Sequence, residues 1–460
     1  MPDGVSTIES LASRNNAEWI MDGSGNVVAR IEALPSGTQE IMVPRGDQFF
    51  ALTAIGGDAS ADGQILGLAQ DGRSLVIREV QGAELILYPI DLTSGERGEP
   101  FFTGANYLGA MRDDKSFRII GARYAERLTS QVRYFDPELQ QLQTTLEGAL
   151  AGHTVRMFST STDKTKVLFE ARAPSRPPVL ALFDVAQSSI ATLAELYPEV
   201  AENTLGSVSG HLSADASGAT LAGMLVLPPS GEAVNLPTII LNDTRTGLRF
   251  DEMAHFLASH GYAVLRPDVR TAKGFGDLSG MGELADWVAA YQDSVASGLN
   301  ELIANGIADP ERVCIIGTGE NGYTALMSVV NSSDAFQCAI AVKGVYDLQE
   351  LVDNARSLGS DAGYAFSNPF IRNHDFFAEA DLEQFSPVNY GEAINVPVLL
   401  IGFDRDGQVA SMESALESAD QDVEYVELED NWQRPADARA ENKTTEYLEI
   451  ERFLAAQLGR

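Results

Sequence analysis

The sequence predicts two domains: an all-β, propeller-like domain over residues 1–205, then a doubly wound α/β domain with a mostly parallel sheet over 206–460. Three observations carry this. Short alternating runs dominate up to about residue 200. Strand-like and helix-length segments then alternate. At 460 residues the chain can bury more than one core.

In the first part the runs NVVARIEAL, QFFALTAI, SLVIREV, LILYPIDL, FRIIGARY, KVLFEA and VLALFDV alternate apolar and polar residues, with little helical periodicity. Turn signals such as DGSGN, QDGRS, TSGERGE and STDKTK separate them. Several units end a strand near an aspartate, as in LYPIDLTSGE, VRYFDPEL and LALFDVAQSS. The spacing, about 40–50 residues, matches one four-stranded propeller blade. About four such units fit, so the propeller is small or incomplete.

After GSVSGHLSADASGATLAGMLVLPPSG the texture changes. TIILN precedes RFDEMAHFLASHG, AVLRPD precedes ELADWVAAYQDSVASGLNELIANG, and RVCIIG precedes YTALMSVVNS. AIAVKGV leads into a long insert, VPVLLIGF into SMESALESAD, and VEYVELED into TTEYLEIERFLAAQL. Repeated βα units of this length predict parallel strands covered by helices.

Sixty-six acidic against 32 basic residues give a net charge of −34. Nucleic acid and anionic membrane both require a basic footprint, so neither is expected as a partner. No apolar run approaches the ~20 residues of a membrane span. The start, MPDGVSTIES, lacks the basic and apolar regions of a secretory signal, which favours a cytoplasmic location unless the N-terminus is truncated. Cys314 and Cys338 lie in apolar runs and are expected as two small buried residues rather than a disulfide. No metal-ligand spacing occurs, Asp404 and Asp406 alone being too few, and no cofactor is expected.

The stretch GTGENGY, Gly317 to Tyr323, opens two readings. Its letters fit the dinucleotide turn G-x-G-x-x-G between a strand and a helix. Against that, it lies in about the third βα unit, Lys343 ends the next strand where an acidic ribose ligand belongs, and Glu320 would repel a phosphate. It also matches a strand-to-helix elbow.

The second reading draws on a resemblance. The runs FLASHGYAVLRPDVR, GIADPERVCIIG, GYTALM, FQCAIAVKGVYDL, VPVLLIGFDRDGQV and EDNW resemble the catalytic domain of the prolyl oligopeptidase family of serine peptidases, its acylaminoacyl-peptidase-like branch in particular, over roughly 206–460. The resemblance implies an α/β-hydrolase fold with a triad in the order Ser, Asp, His. Gly319 then stands where the nucleophilic serine belongs. Asp406, in GFDRDGQV, takes the carboxylate position. Asn431, in EDNW, takes the histidine position, and an amide cannot serve as a general base.

Independently of any alignment, the histidines are His153, His211, His255, His260 and His374, so none follows Asp406. His255 and His260 fall in or beside an amphipathic helix, where structural roles are expected. The oxyanion region, Asn242, Asp243 and Glu320 by the same resemblance, departs from the family too: LNDTRTG replaces its His-Gly-Gly-Pro turn. The expected function is a pseudo-peptidase that binds a peptide or another protein subunit, an active relative among them. The alternatives are a weak serine-type peptidase or esterase using another group, and nucleotide binding at GTGENG.

Overall fold

The computed structural model describes residues 16–459 except 35–37, 57–62, 82–83, 105–106, 114, 127, 215–219, 243–246, 269–283, 358–380, 404–406 and 430–435. The chain packs as two compact units, Met1–Glu126 with Gln131–Leu146, and Arg127–Ser130 with Glu147–Arg460.

The first half is a succession of small sheets whose strands lie beside their sequence neighbours. One sheet holds β1 (Asn16–Met21), β2 (Val27–Ala33), β3 (Gln39–Arg45) and β4 (Gln48–Ile55). The next holds β5 (Gln64–Leu68), β6 (Ser74–Gln81), β7 (Glu84–Asp91) and β8 (Phe102–Gly104). A three-stranded sheet follows, β9 (Tyr107–Arg112), β10 (Ile119–Glu126) and β11 (Thr129–Tyr134). The last is β12 (Thr154–Thr160), β13 (Lys166–Ala173), β14 (Arg176–Asp184) and β15 (Ser189–Glu195).

The recurring aspartates now have a cause. Asp91 Oδ1 accepts from the amides of Thr93 and Ser94, each at 2.8 Å. Asp71 does the same for Arg73 and Ser74. A carboxylate that closes a turn on its own backbone starts each new strand at a defined place. Those hydrogen bonds, first among them the one from the Ser94 amide, hold the Asp91 carboxyl below its ordinary range.

One element departs from the all-β expectation. Helix α1 (Pro137–Ala149) lies between β11 and β12. Its start is encoded in DPEL: Asp136 Oδ1 caps the amides of Glu138 and Leu139 at 2.8 and 3.1 Å, and Pro137 occupies the first helical position. Alternation up to Tyr134 draws attention away from this cap.

The second half forms an eight-stranded sheet. Its members are β16 (Ser207–Ala214), β17 (Thr220–Leu227), β18 (Leu236–Asn242), β19 (Ala263–Asp268), β20 (Ala308–Thr318), β21 (Cys338–Val342), β22 (Val398–Phe403) and β23 (Val423–Leu428). The order is β16-β17-β19-β18-β20-β21-β22-β23, antiparallel at β16 and β17 and parallel from β19 onward. Along the parallel strands neighbouring residues face opposite cores. Ile240, Ile315 and Leu400 pack with Leu299, Leu326 and Met412 from α3 (Leu284–Ala304), α4 (Glu320–Asn331) and α6 (Gly407–Ser418). Ile239, Ile316 and Ile401 pack with Leu257 and Phe453 from α2 (Glu252–Ser259) and α7 (Ala436–Leu458). A further helix, α5 (Leu348–Ser357), follows β21. Burial on both faces explains why these strands read as continuous apolar runs.

The cysteines correct an expectation. Cys314 and Cys338 are in register on adjacent parallel strands, with Cα atoms 4.8 Å apart, and are joined as a disulfide. Side-by-side register brings them within bridging distance, which apolar flanks alone do not reveal.

Candidate functional site

In an open parallel sheet the binding crevice lies at the carboxyl ends of the strands, where the strand order reverses. Here β18 connects to β19 on one side and stands beside β20 on the other. Asn242, the last residue of β18, is in register with Gly317 near the end of β20. That point is the GTGENGY stretch.

β20 ends at Thr318, Gly319 caps α4, and the helix starts at Glu320. The three glycines answer three different demands. A Cβ on Gly317 would stand 1.9 Å from the Asn321 carbonyl oxygen, because the helix folds back over the strand end. A Cβ on Gly322 would come 3.0 Å from Gly344 Cα. Gly319 has φ 61° and ψ −126°, a conformation that costs a residue with a side chain, yet a Cβ there meets nothing within 4 Å. The Gly319 amide donates to Val342 O at 2.8 Å and its carbonyl accepts from Gly322 N at 2.9 Å. The turn is therefore sharp, pinned to β21, and open at its apex.

Asn242 is buried, 3% exposed, below the first turn of α4. Its Nδ2 donates to Thr324 Oγ1 at 3.4 Å, while Thr324 Oγ1 donates to Asn321 O at 2.9 Å. Its Oδ1 is buried without a hydrogen-bond partner among the described residues. Glu320 occupies the first helical position, where the helix dipole stabilises a carboxylate. Asp243, Asp406 and Asn431 lie outside the described residues, as does His374.

The contacts of two neighbouring residues are not legible in the sequence. Lys343 follows β21 with φ 50°, and its Nζ reaches Glu446 Oε2 at 3.1 Å and lies 5.0 Å from the Phe403 ring centre. Gln408, two residues past Asp406, accepts from the amides of Tyr346 and Asp347 at 2.7 Å each. Its Nε2 donates to Asp347 O at 3.1 Å and Glu350 Oε2 at 2.6 Å. It fixes the loop after β21 to the first turn of α6. Only its position in the DGQV segment, next to a candidate carboxylate, could have drawn attention to it.

The described histidines of this domain are engaged elsewhere. His255 Nε2 donates to Pro174 O at 3.0 Å, and its ring stacks on Phe250 with centroids 4.9 Å apart. Burial lowers its pKa and favours the neutral ring. His260 Nδ1 bonds Phe256 O at 2.8 Å. Burial also lowers the pKa of His211, on β16. No group of three or more metal-ligating side chains gathers among the described residues.

Residues 248–459 match the prolyl oligopeptidase family. Dipeptidyl aminopeptidase BIII of Pseudoxanthomonas mexicana is 25% identical over 417 residues, 85% of this chain and 59% of its own length. The chain thus spans about six-tenths of that relative. A puromycin-hydrolyzing peptidase of Mycobacterium tuberculosis superposes with a TM-score of 0.70 at 17% identity, over 94% of this chain and 68% of that one. A second puromycin hydrolase gives 0.69 at 16% identity, over 97% and 70%. At such identities the structural likeness shows the fold: a β-propeller region followed by an α/β-hydrolase domain.

Proposed function

Residues 248–459 match the prolyl oligopeptidase family, and on that premise we propose that the chain is a non-catalytic member of it, a pseudo-peptidase that uses the scaffold to bind a peptide or another protein subunit. The observation that carries this is Gly319. The elbow keeps the tight, positive-φ geometry suited to presenting a nucleophile, and the apex residue has no side chain to present.

Asn431 stands at the base position and no histidine follows Asp406, so the proton acceptor is missing together with the nucleophile. Losing the serine or histidine alone costs on the order of a million-fold in turnover. The residual rate depends on an intact oxyanion site, whose donors contribute about 3 kcal/mol each. Glu320 brings a carboxylate to the first position of α4, where its charge would oppose a developing oxyanion. By sheet membership we place the domain boundary near residue 205, because β16, the first strand of the eight-stranded sheet, begins at Ser207; by packing the division falls earlier, since β12–β15 belong to the compact unit that starts at Glu147.

A serine-directed fluorophosphonate probe tests the reading. The expected result is no covalent labelling of the full chain, and none that is restored to a family-like rate by Gly319→Ser with Asn431→His. Stoichiometric labelling of the native chain that maps to residues 206–460, or ester turnover abolished by Asp406→Asn, would favour a peptidase or esterase working through another group.

A further inference from the structure

We propose that a half-open cavity between the first two sheets of the N-terminal unit binds a single free α-amino acid of about leucine size, its ammonium on Glu79 and its carboxylate on Arg97. The site lies wholly within that unit and does not depend on how the elbow is read.

The cavity has a volume of about 210 Å³ and is lined by residues of β4, β6 and β7 and of the turn between β7 and β8. Drug-sized ligands occupy roughly 300–1,000 Å³. The volume therefore selects a ligand the size of one residue over a longer peptide.

The polar groups select its chemistry. Arg97 Nη1 and Glu79 Oε2 are 3.0 Å apart, the arginine side chain 45% exposed and the glutamate 13%. Both charges stand at the cavity. An ammonium and a carboxylate carried on one carbon have a similar separation, so a zwitterion can lie antiparallel along the pair, each charge meeting its opposite. A singly charged ligand would meet one repulsive partner.

The pair is also held in place. The Arg97 guanidinium lies 3.6 Å from the centre of the Tyr88 ring, and the Arg97 backbone bridges to Ile90. Tyr88 is buried and hydrogen-bonds Glu79; burial, with that bond second, pushes the phenol up to about 12, so it stays a donor. Ile55 and Ile90, both buried, form an apolar floor for the ligand's side chain.

Calorimetry on the full chain distinguishes the possibilities, with L-leucine, leucinamide, N-acetyl-leucine and Leu-Leu as probes. L-leucine is expected to bind. The amide and the acetyl compound should each bind about tenfold or more weakly, since each loses one charge-assisted pairing. Arg97→Gln should weaken leucine about tenfold or more and strengthen leucinamide, whose ammonium no longer meets a like charge. Glu79→Gln should likewise weaken leucine and strengthen N-acetyl-leucine. Thr53, half-buried and on the same face of β4 as Ile55, lines the cavity without carrying either charge; Thr53→Leu narrows it and should abolish binding in a chain that melts normally. Absence of leucine binding, equal affinity for the amide, tighter binding of Leu-Leu, or full binding by Thr53→Leu would each overturn the proposal.

Discussion

Gly317 and Gly319 stand two residues apart and are glycine for opposite reasons. At Gly317 the obstacle is steric: the Asn321 carbonyl fills the space a Cβ would take, and backbone has no rotamer through which to yield. At Gly319 the space is open and the cost is conformational, about 1–3 kcal/mol for a side chain at positive φ. Gly317→Ala is therefore expected to melt well below Gly319→Ala, by an amount in the upper part of the 1–3 kcal/mol range for overpacking or beyond it. Urea melts of the two single variants decide this. The opposite order would mean that the helix does not fold back over the strand end. Gly319→Ser should fold for the same reason, which makes it a usable variant for the labelling experiment.

At the level of elements, α2 is placed by a buried ion pair. Asp251 caps the helix through Ala254 N at 3.1 Å and meets Arg266 Nη1 of β19 at 2.9 Å, both side chains 2% exposed. Arg249 adds a second contact at 3.2 Å. Removing one partner of such a pair leaves a charge in a site without water and costs about 3–5 kcal/mol, far more than the ~1 kcal/mol of a helix cap alone. Arg266→Met is expected to lose that much stability, and adding Asp251→Asn should recover part of it because the stranded charge is gone. A loss below about 1 kcal/mol for Arg266→Met would show that Arg249 suffices as counter-ion. The capping aspartate in RFDEM is readable from sequence. Its arginine partner, fifteen residues away on another element, is not.

For the whole molecule the dominant quantity is the charge of −34. Surface ion pairs such as Arg452 with Glu449 at 2.7 Å contribute about 0–1 kcal/mol each, and salt weakens them. Repulsion among the excess carboxylates opposes the compact state and is screened by the same salt, within about 8 Å at physiological ionic strength. With acids outnumbering bases two to one, relief of repulsion should win. Melting temperature is expected to rise by a few degrees as sodium chloride is added, followed by circular dichroism. A fall would mean that specific pairs outweigh the net field. No described helix is long and apolar enough to cross a membrane.

Local signals determined much of this protein. Period-two alternation, turn aspartates, repeated βα units and the letters of GTGENGY depend on residues close together in the chain, and each is readable there. So is the lack of any histidine after Asp406. Helix α1 was equally legible in DPEL, but a strand pattern running up to it competed. Register and crossover decided the rest. They set Cys314 beside Cys338, put the Asn321 carbonyl against Gly317, and brought Glu79, Tyr88 and Arg97 to one cavity. Periodicity reports which face a residue occupies. What stands opposite that face is decided only when separate strands pack.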